Sequence, residues 1–324
     1  MESAKLLEEL RTSVDARLID FITEYKRPES LYIPMQYVLE GQGKRIRPIL
    51  LLLVNQAFDG DKEQAYHAAL ALEILHNFTL VHDDIMDEDF QRRGRPTVHK
   101  KWDLSTAILS GDGLLGLAYR SLLATRSEVM HKLLQVFTDG VIDICEGQAF
   151  DKEFERRDSV TIAEYIDMVH RKTGRLLSMC CEMGAILAEA SEQSVKDCSK
   201  FGYIIGEAFQ VQDDMLEVTS TMEVAGKSLG SDLFSQKKTF IFLKTLELAA
   251  DDDLRRINQI LEQDIYTERD FEQLKSIARD LGVIDVTKNY IAGKLHEART
   301  LLSTMPVDTT HIEYLIQQLQ DRQS

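Results

Sequence analysis

YHAALALEILHNFTLVHDDIMD, residues 66–87, is the stretch that decides the fold. Ala69, Leu72, Leu75 and Leu80 recur at helical spacing and no proline or glycine interrupts them, so the stretch predicts one long helix. It ends in Asp83-Asp84-Ile85-Met86-Asp87. A second apolar helical stretch, residues 194–219, carries Asp213-Asp214-Met215-Leu216-Glu217 near its own end. Each cluster has carboxylates at i, i+1 and i+4. At 3.6 residues per turn these fall within about a 100° arc of one helix face.

Outward from these helices the pattern stays helical. Periodicity predicts helices over 4–23, 48–58, 130–154, 162–189, 237–250, 269–281 and 286–302. The chain has only five prolines, and none between Thr97 and Met305. No strand–helix alternation appears, so a parallel sheet is not expected. Long helices without a low-complexity linker predict one all-α domain over residues 1–324, a bundle of mostly antiparallel helices. The segment after Ala250 carries no chemistry of its own and is expected to complete that bundle.

The 324 residues include 44% apolar ones, enough for a large core, and carry a net charge of −16. That charge opposes nucleic-acid binding, which needs a basic face. Small anions need only local basic islands, and two stand out: Lys44-Arg45-Ile46-Arg47 and Arg92-Arg93-Gly94-Arg95. Cys145, Cys180, Cys181 and Cys198 form no C-x-x-C pair, and Met179 to Met183 read as packing core. The first residues lack a signal-peptide core, and the apolar run 49–54 is far below the ~20 residues of a membrane span. A cytoplasmic protein without a membrane span is the expectation.

Three like charges on one helix face repel, and near a helix C-terminus the macrodipole adds to the cost. Divalent cations with oxygen ligands offset that. Mg²⁺ commonly uses a few carboxylates together with water and substrate phosphates.

The order and spacing of the motifs from Gly41 to Thr239 resemble the trans-prenyl diphosphate synthases, the family of farnesyl and geranylgeranyl diphosphate synthases. The residues that carry the resemblance are Gly43-Lys44-Arg45-Ile46-Arg47-Pro48, His76, Asp83 to Asp87, and Arg92 to Thr97. They continue through Gly111-Asp112, Gly147-Gln148 with Asp151, Lys172-Thr173, Phe209-Gln210 with Asp213-Asp214, Gly226-Lys227, Asp232, Lys237 and Thr239. The resemblance implies a helical bundle around a deep central cavity, as a homodimer, with the acidic clusters facing each other at its mouth. It implies that Asp83, Asp84, Asp87 and Asp213 ligate a trinuclear Mg²⁺ cluster on an allylic diphosphate, with Asp214 and Glu217 in the same motif. Arg92, Lys172, Lys227 and Lys237 match positions that hold the allylic diphosphate (dimethylallyl, geranyl or farnesyl). Lys44, Arg47, His76 and Arg93 match the isopentenyl diphosphate site. Thr173 and Gln210 match groups whose oxygens lie near the developing carbocation.

Product length in this family is set below the first acidic cluster, at the positions of Phe78 and Thr79. An aromatic residue at the first, no aromatic at the second and no insertion in the motif resemble the C20 type; a C15 farnesyl product is the alternative. Glu217 stands where the family more often has Asp, and Gln236 where it often has Gly.

Other classes fit less well. A di-iron bundle would use the Glu-x-x-His pairs at Glu73/His76 and Glu128/His131, but has no use for two basic islands. A terpene cyclase would not need Lys44, Arg47 and His76. A non-catalytic subunit would be expected to lose acidic positions that this chain keeps.

Overall fold

The computed structural model describes residues 2–219, 237–263 and 267–321. These residues fold almost entirely into helices. In chain order they are α1 (Glu2–Thr23), α2 (Glu29–Leu39), α3 (Ile46–Ala57) and α4 (Lys62–Met86), then α5 (Val98–Lys101), α6 (Leu104–Leu123) and α7 (Met130–Glu155). There follow α8 (Ile162–Val169), a π-helical turn (His170–Gly174), α9 (Arg175–Leu187), α10 (Glu192–Thr219) and α11 (Phe240–Leu248). The last four are α12 (Asp251–Leu261), α13 (Glu268–Asp280), α14 (Val283–Ser303) and α15 (Thr310–Gln320). Among the described residues the only strands are β1 (Gln91–Arg92) and β2 (Arg95–Pro96), a two-residue antiparallel pair. The all-α expectation holds.

The chain divides into two compact units. The first comprises residues 1–141, 176–202 and 301–320; the second comprises 142–175, 203–300 and 321–324.

In the first unit α4 is the central element. Asp61 caps its start, accepting from the backbone N–H groups of Glu63 and Gln64. From Ala65 to Phe78 all but His67 are buried or nearly so, because α3 packs on one side of α4 and α6 on another. The leucines of α3 and the Leu114, Leu117, Ala118 and Leu122 ridge of α6 fill the contacts. Each leucine contributes roughly 1.5–3 kcal/mol on burial. Met179, Cys180, Cys181 and Met183 are fully buried core, as their spacing predicts.

Helix α6 is not legible in the sequence, because Gly111, Gly113 and Gly116 lower its helix propensity. The structure gives two of these glycines a reason. A Cβ at Gly111 would run into the His82 ring of α4, and one at Gly113 would meet Met35 of α2 at 2.9 Å. The opposite face of α6 exposes Leu104, Ile108, Leu109 and Leu123, an apolar stripe in which Leu109 is 60% exposed.

In the second unit α11 packs against α8 and α13. Ile257, Ile260, Leu274 and Ile277 form one buried cluster, and Ile241, Ala278 and Val283 another. Glu207 is buried beneath His170, Tyr290 and Lys294, which all donate to its carboxylate. Burial pushes that carboxyl up, but the three donors outweigh it and hold it at about 2.

The stretch 162–189 is helical without a break as far as Leu187, as periodicity predicts, but it is not α-helical throughout. It divides into α8, the π turn and α9. A π turn inserts one residue into the helical ladder, which re-aims the side chains that follow. Lys172 and Thr173 lie within it.

Candidate active site

Two groups of the predicted residues are built, one in each unit. In the first unit the basic island 44–47 starts α3 from a loop with an unusual centre. Arg45 has a left-handed backbone (φ 49°), which costs a non-glycine residue about 1 kcal/mol. Its side chain compensates. The guanidinium donates to Glu73 and Asp15, each at 2.7 Å, and to the carbonyls of Leu39 and Gly41 at 3.0 and 2.9 Å. This anchor fixes the loop on which Lys44 and Arg47 stand. Arg45 is a residue that the motif reading quoted but gave no role; its place inside a run of basic residues hides it.

Arg47 points to His76 of α4, with Nη1 3.1 Å from Nε2. Burial and the charges of Arg47, Arg93, Arg92 and Arg45 hold the His76 pKa well below its ordinary value. The imidazole is therefore neutral, and Arg47 donates to its unprotonated Nε2. Glu73, one turn before His76, is buried, and its Oε1 is taken by Arg45 and Asn77, which argues against the Glu73/His76 pair of the di-iron alternative.

The second basic island is the tip of the β1–β2 hairpin. Arg93 and Gly94 both have positive φ (52° and 72°), the pattern of a type I′ turn between Arg92 and Arg95. The turn brings Arg93 to the 41–47 loop, where a Cβ on Gly43 would sit 3.0 Å from its Nη1. Arg47, His76, Arg93 and the loop that carries Lys44 are thus neighbours.

The first acidic cluster closes α4. Asp87 is its C-cap residue. Asp83 and Asp87 are partly exposed, whereas Asp84 is only 5% exposed. Its carboxylate accepts from Arg92 Nε at 2.5 Å, and Asp89 accepts from Nη2 of the same arginine at 3.4 Å. Thr79 lies on the Asp83–Asp87 face of α4 and donates to the His76 carbonyl at 2.8 Å. Phe78 lies on the adjacent face, its ring edge-on to His82 at 4.8 Å.

In the second unit a cleft of about 440 Å³ is lined by Asp151, Lys172, Thr173, Gln210, Asp214, Lys237 and their neighbours. Lys172 Nζ reaches Asp151 at 2.6 Å. The backbone of the π turn comes so close to α7 that a Cβ on Gly147 would stand 2.8 Å from the Lys172 Cα. Thr173 donates to Gln210 Oε1 at 2.8 Å. Gln210 Nε2 donates to Asp214 at 3.1 Å.

Asp214 is 6% exposed and receives two more donors, Tyr165 Oη at 2.6 Å and the Phe240 N–H at 2.8 Å. Burial and the neighbouring Asp214 charge push the Tyr165 phenol well above its usual pKa, so it keeps its proton. Tyr165 is a site residue that the motifs did not mark, since a buried tyrosine in a helix reads as core. Asp213 and Glu217 are partly exposed. Lys227 and Gln236 lie outside the described residues.

Sequence reading groups Asp84 and Asp214 with the metal ligands. In each cluster the i+1 carboxylate is the buried one and is held by protein donors, because i+1 lies about 100° away from the i and i+4 face. Among the described residues no three His, Cys, Asp or Glu side chains are arranged to hold an ion by themselves. No helix among them is long and apolar enough to cross a membrane.

Comparison with known proteins identifies the family. The polyprenyl synthetase family pattern matches residues 28–278. A geranylgeranyl diphosphate synthase of Sulfolobus acidocaldarius is 43% identical over 235 residues, covering 71% of this chain and 71% of that protein. One of Methanosarcina mazei is 36% identical, covering 93% and 92%. The crystal structure of geranylgeranyl pyrophosphate synthetase from Pyrococcus horikoshii superimposes with a TM-score of 0.91 at 33% identity, covering 99% of this chain and all of that one. The chain belongs to the polyprenyl synthetase family and is a prenyltransferase.

Proposed function

We propose that this chain is a short-chain trans-prenyl diphosphate synthase. It condenses isopentenyl diphosphate head-to-tail with an allylic diphosphate, and its main product is the C20 geranylgeranyl diphosphate. The observation that carries the reading is the linked set Lys172, Thr173, Gln210 and Asp214 lining one cleft, with lysines and oxygen acceptors side by side. A diphosphate leaving group needs the first and an allylic cation the second. The names borne by the relatives support the C20 product, as do Phe78 and Thr79 before the first cluster.

The donor set fits magnesium. Asp83 with Asp87 and Asp213 with Glu217 give two partly exposed carboxylate pairs, and Mg²⁺ takes few protein carboxylates when phosphates and water complete its shell. When bound, Mg²⁺ would neutralise charge developing on the departing diphosphate. Asp84 and Asp214 belong to the same clusters but are held by protein donors, Asp84 by Arg92 and Asp214 by Tyr165, Gln210 and the Phe240 N–H.

The chain's own residues perform the remaining steps. Arg92, Lys172, Lys227 and Lys237 hold the allylic diphosphate; Arg92 exchanges part of its hold on Asp84 for phosphate oxygen. As the allylic C–O bond breaks, its electron pair stays on the diphosphate, and Thr173 and Gln210 face the cation with oxygen. Lys44, Arg47 and Arg93 bind the isopentenyl diphosphate, with neutral His76 fixing Arg47. The isopentenyl double bond supplies the electrons of the new C–C bond, and the proton lost goes to the departed diphosphate. Residues 1–324 act as one catalytic domain in this account.

A homodimer is part of the proposal, supported by the apolar stripe Leu104, Ile108, Leu109 and Leu123 on α6. A cytoplasmic location is supported by the three buried free thiols. The test is turnover of labelled isopentenyl diphosphate with and without a chelator, in the wild type and in Asp83→Ala. Magnesium-dependent condensation that Asp83→Ala abolishes supports the reading; condensation untouched by either change contradicts it.

A further inference from the structure

The geometry points to a role for Asp214 that follows from the function proposed above but is distinct from metal binding: it sets the direction of the hydrogen bonds that present the Thr173 hydroxyl oxygen to the reacting cation. A glutamine side chain can place its two ends either way round. Here one end meets a carboxylate, which only accepts, so that end must be Nε2. The other end is then Oε1, and Thr173 must donate its only hydroxyl proton to it. What Thr173 turns to the cleft it lines is therefore lone-pair density. With the amide reversed, Gln210 would donate to Thr173, occupying one of its two lone pairs and freeing its proton to face the cleft, and would leave an oxygen against the Asp214 carboxylate.

Asp214 is itself immobilised. Its Oδ2 accepts from Tyr165 at 2.6 Å and from the Phe240 backbone at 2.8 Å. Tyr165 comes from α8, and Phe240 is the first residue of α11, three residues after Lys237. One carboxylate thus ties together the cation-facing pair Thr173–Gln210, the helix before Lys172 and the segment that carries Lys237. Asp214 is a positioning residue acting through Gln210 and Thr173. Its neighbour Asp213, on another face of the helix turn, is the one placed for metal.

The test compares Asp214→Asn with Asp213→Asn. The probe is an allylic thiolodiphosphate, in which sulfur replaces the bridging oxygen so that the bond does not ionise. Its binding is followed by calorimetry over a range of Mg²⁺, beside steady-state kinetics. Asp214→Asn is expected to keep the Mg²⁺ half-saturation and probe affinity within about threefold of wild type, while kcat falls roughly a hundredfold, the scale of one lost preorganised electrostatic contact. More of the allylic primer should leave as the alcohol, captured by water. Asp213→Asn is expected to raise the Mg²⁺ half-saturation by about tenfold or more, at least the cost of losing an outer-shell partner of a metal.

If Asp214→Asn shifts the Mg²⁺ half-saturation as Asp213→Asn does, or leaves kcat within about twofold, the inference is overturned. Should Asp214→Asn fail to fold by circular dichroism, Tyr165→Phe serves instead. It keeps the carboxylate, and it is expected to lower kcat severalfold at unchanged Mg²⁺ half-saturation; an unchanged kcat overturns the inference. A wild type that binds the probe yet gives no isopentenyl-dependent product would sink the synthase reading instead, a separate result.

Discussion

Arg45 and Glu73 form a buried ion pair at 2.7 Å, with both side chains only 3% exposed. The pair joins the loop before α3 to the middle of α4, and Asp15 of α1 joins it from the third side. Replacing Arg45 by Ala would leave Glu73 buried without its partner. Such losses cost about 3–5 kcal/mol. Arg45→Ala should lose that much stability in urea unfolding and raise the KM for isopentenyl diphosphate, because Lys44 and Arg47 lose their anchor. A stability change below about 1 kcal/mol would show that the pair is replaceable.

Acid should destabilise the fold in two separate windows. His76 stays neutral in the folded chain because its pKa is depressed, whereas in the unfolded chain it takes up a proton near pH 6.5. The unfolded state then binds more protons, so stability falls as pH drops below about 6.5. Glu207, held at about 2, keeps its contribution above its unfolded pKa and loses it as pH falls from about 4.5 towards 2. Unfolding free energies measured from pH 7.5 to 4.5 in wild type and His76→Gln test the first window. The variant should show a smaller loss between pH 6.5 and 5; an identical slope would refute a neutral His76.

Gly147→Ala should damage catalysis more than stability. The added methyl meets the Lys172 backbone within the π turn and must displace Lys172 and Thr173. A displacement near 1 Å at a reacting centre can cost about a hundredfold in rate. We expect kcat to fall by about tenfold or more. A variant with wild-type kcat would mean that the π turn shifts without consequence.

How far the sequence discloses this molecule depends on periodicity. Helices α4, α7 and α10 are legible because their apolar residues repeat over many turns, and their observed bounds differ from expectation by a few residues only. Helix α6 is not, since its glycines read as breaks until their contacts with His82 and Met35 are seen. The π turn leaves no periodic mark, so periodicity reads a single helix through it. Residues with charged or ligand-facing roles stand out by motif. Arg45 and Tyr165 do not, because their work is to hold other residues, and only tertiary contacts reveal that. The acidic clusters were legible as groups, but the separation of Asp84 and Asp214 from their partly exposed neighbours needed the structure.

Phe78→Ala should lengthen the product beyond C20. Phe78 is 8% exposed, so the change also leaves a cavity costing about 3–5 kcal/mol. Product chain length, read at a temperature where the variant is folded, separates the two effects. A weakened variant that still stops at C20 would remove Phe78 from the ruler and leave Thr79, on the Asp83 face, to set the length.

Product analysis decides whether this protein makes geranylgeranyl diphosphate. The purified protein is incubated with Mg²⁺, labelled isopentenyl diphosphate and, in separate reactions, dimethylallyl, geranyl and farnesyl diphosphate. A dominant C20 product is expected from all three primers, farnesyl included. A product that stops at C15 would make the protein a farnesyl diphosphate synthase, and chains longer than C20 would contradict the length assignment. No isopentenyl-dependent product from any primer would contradict the synthase reading itself.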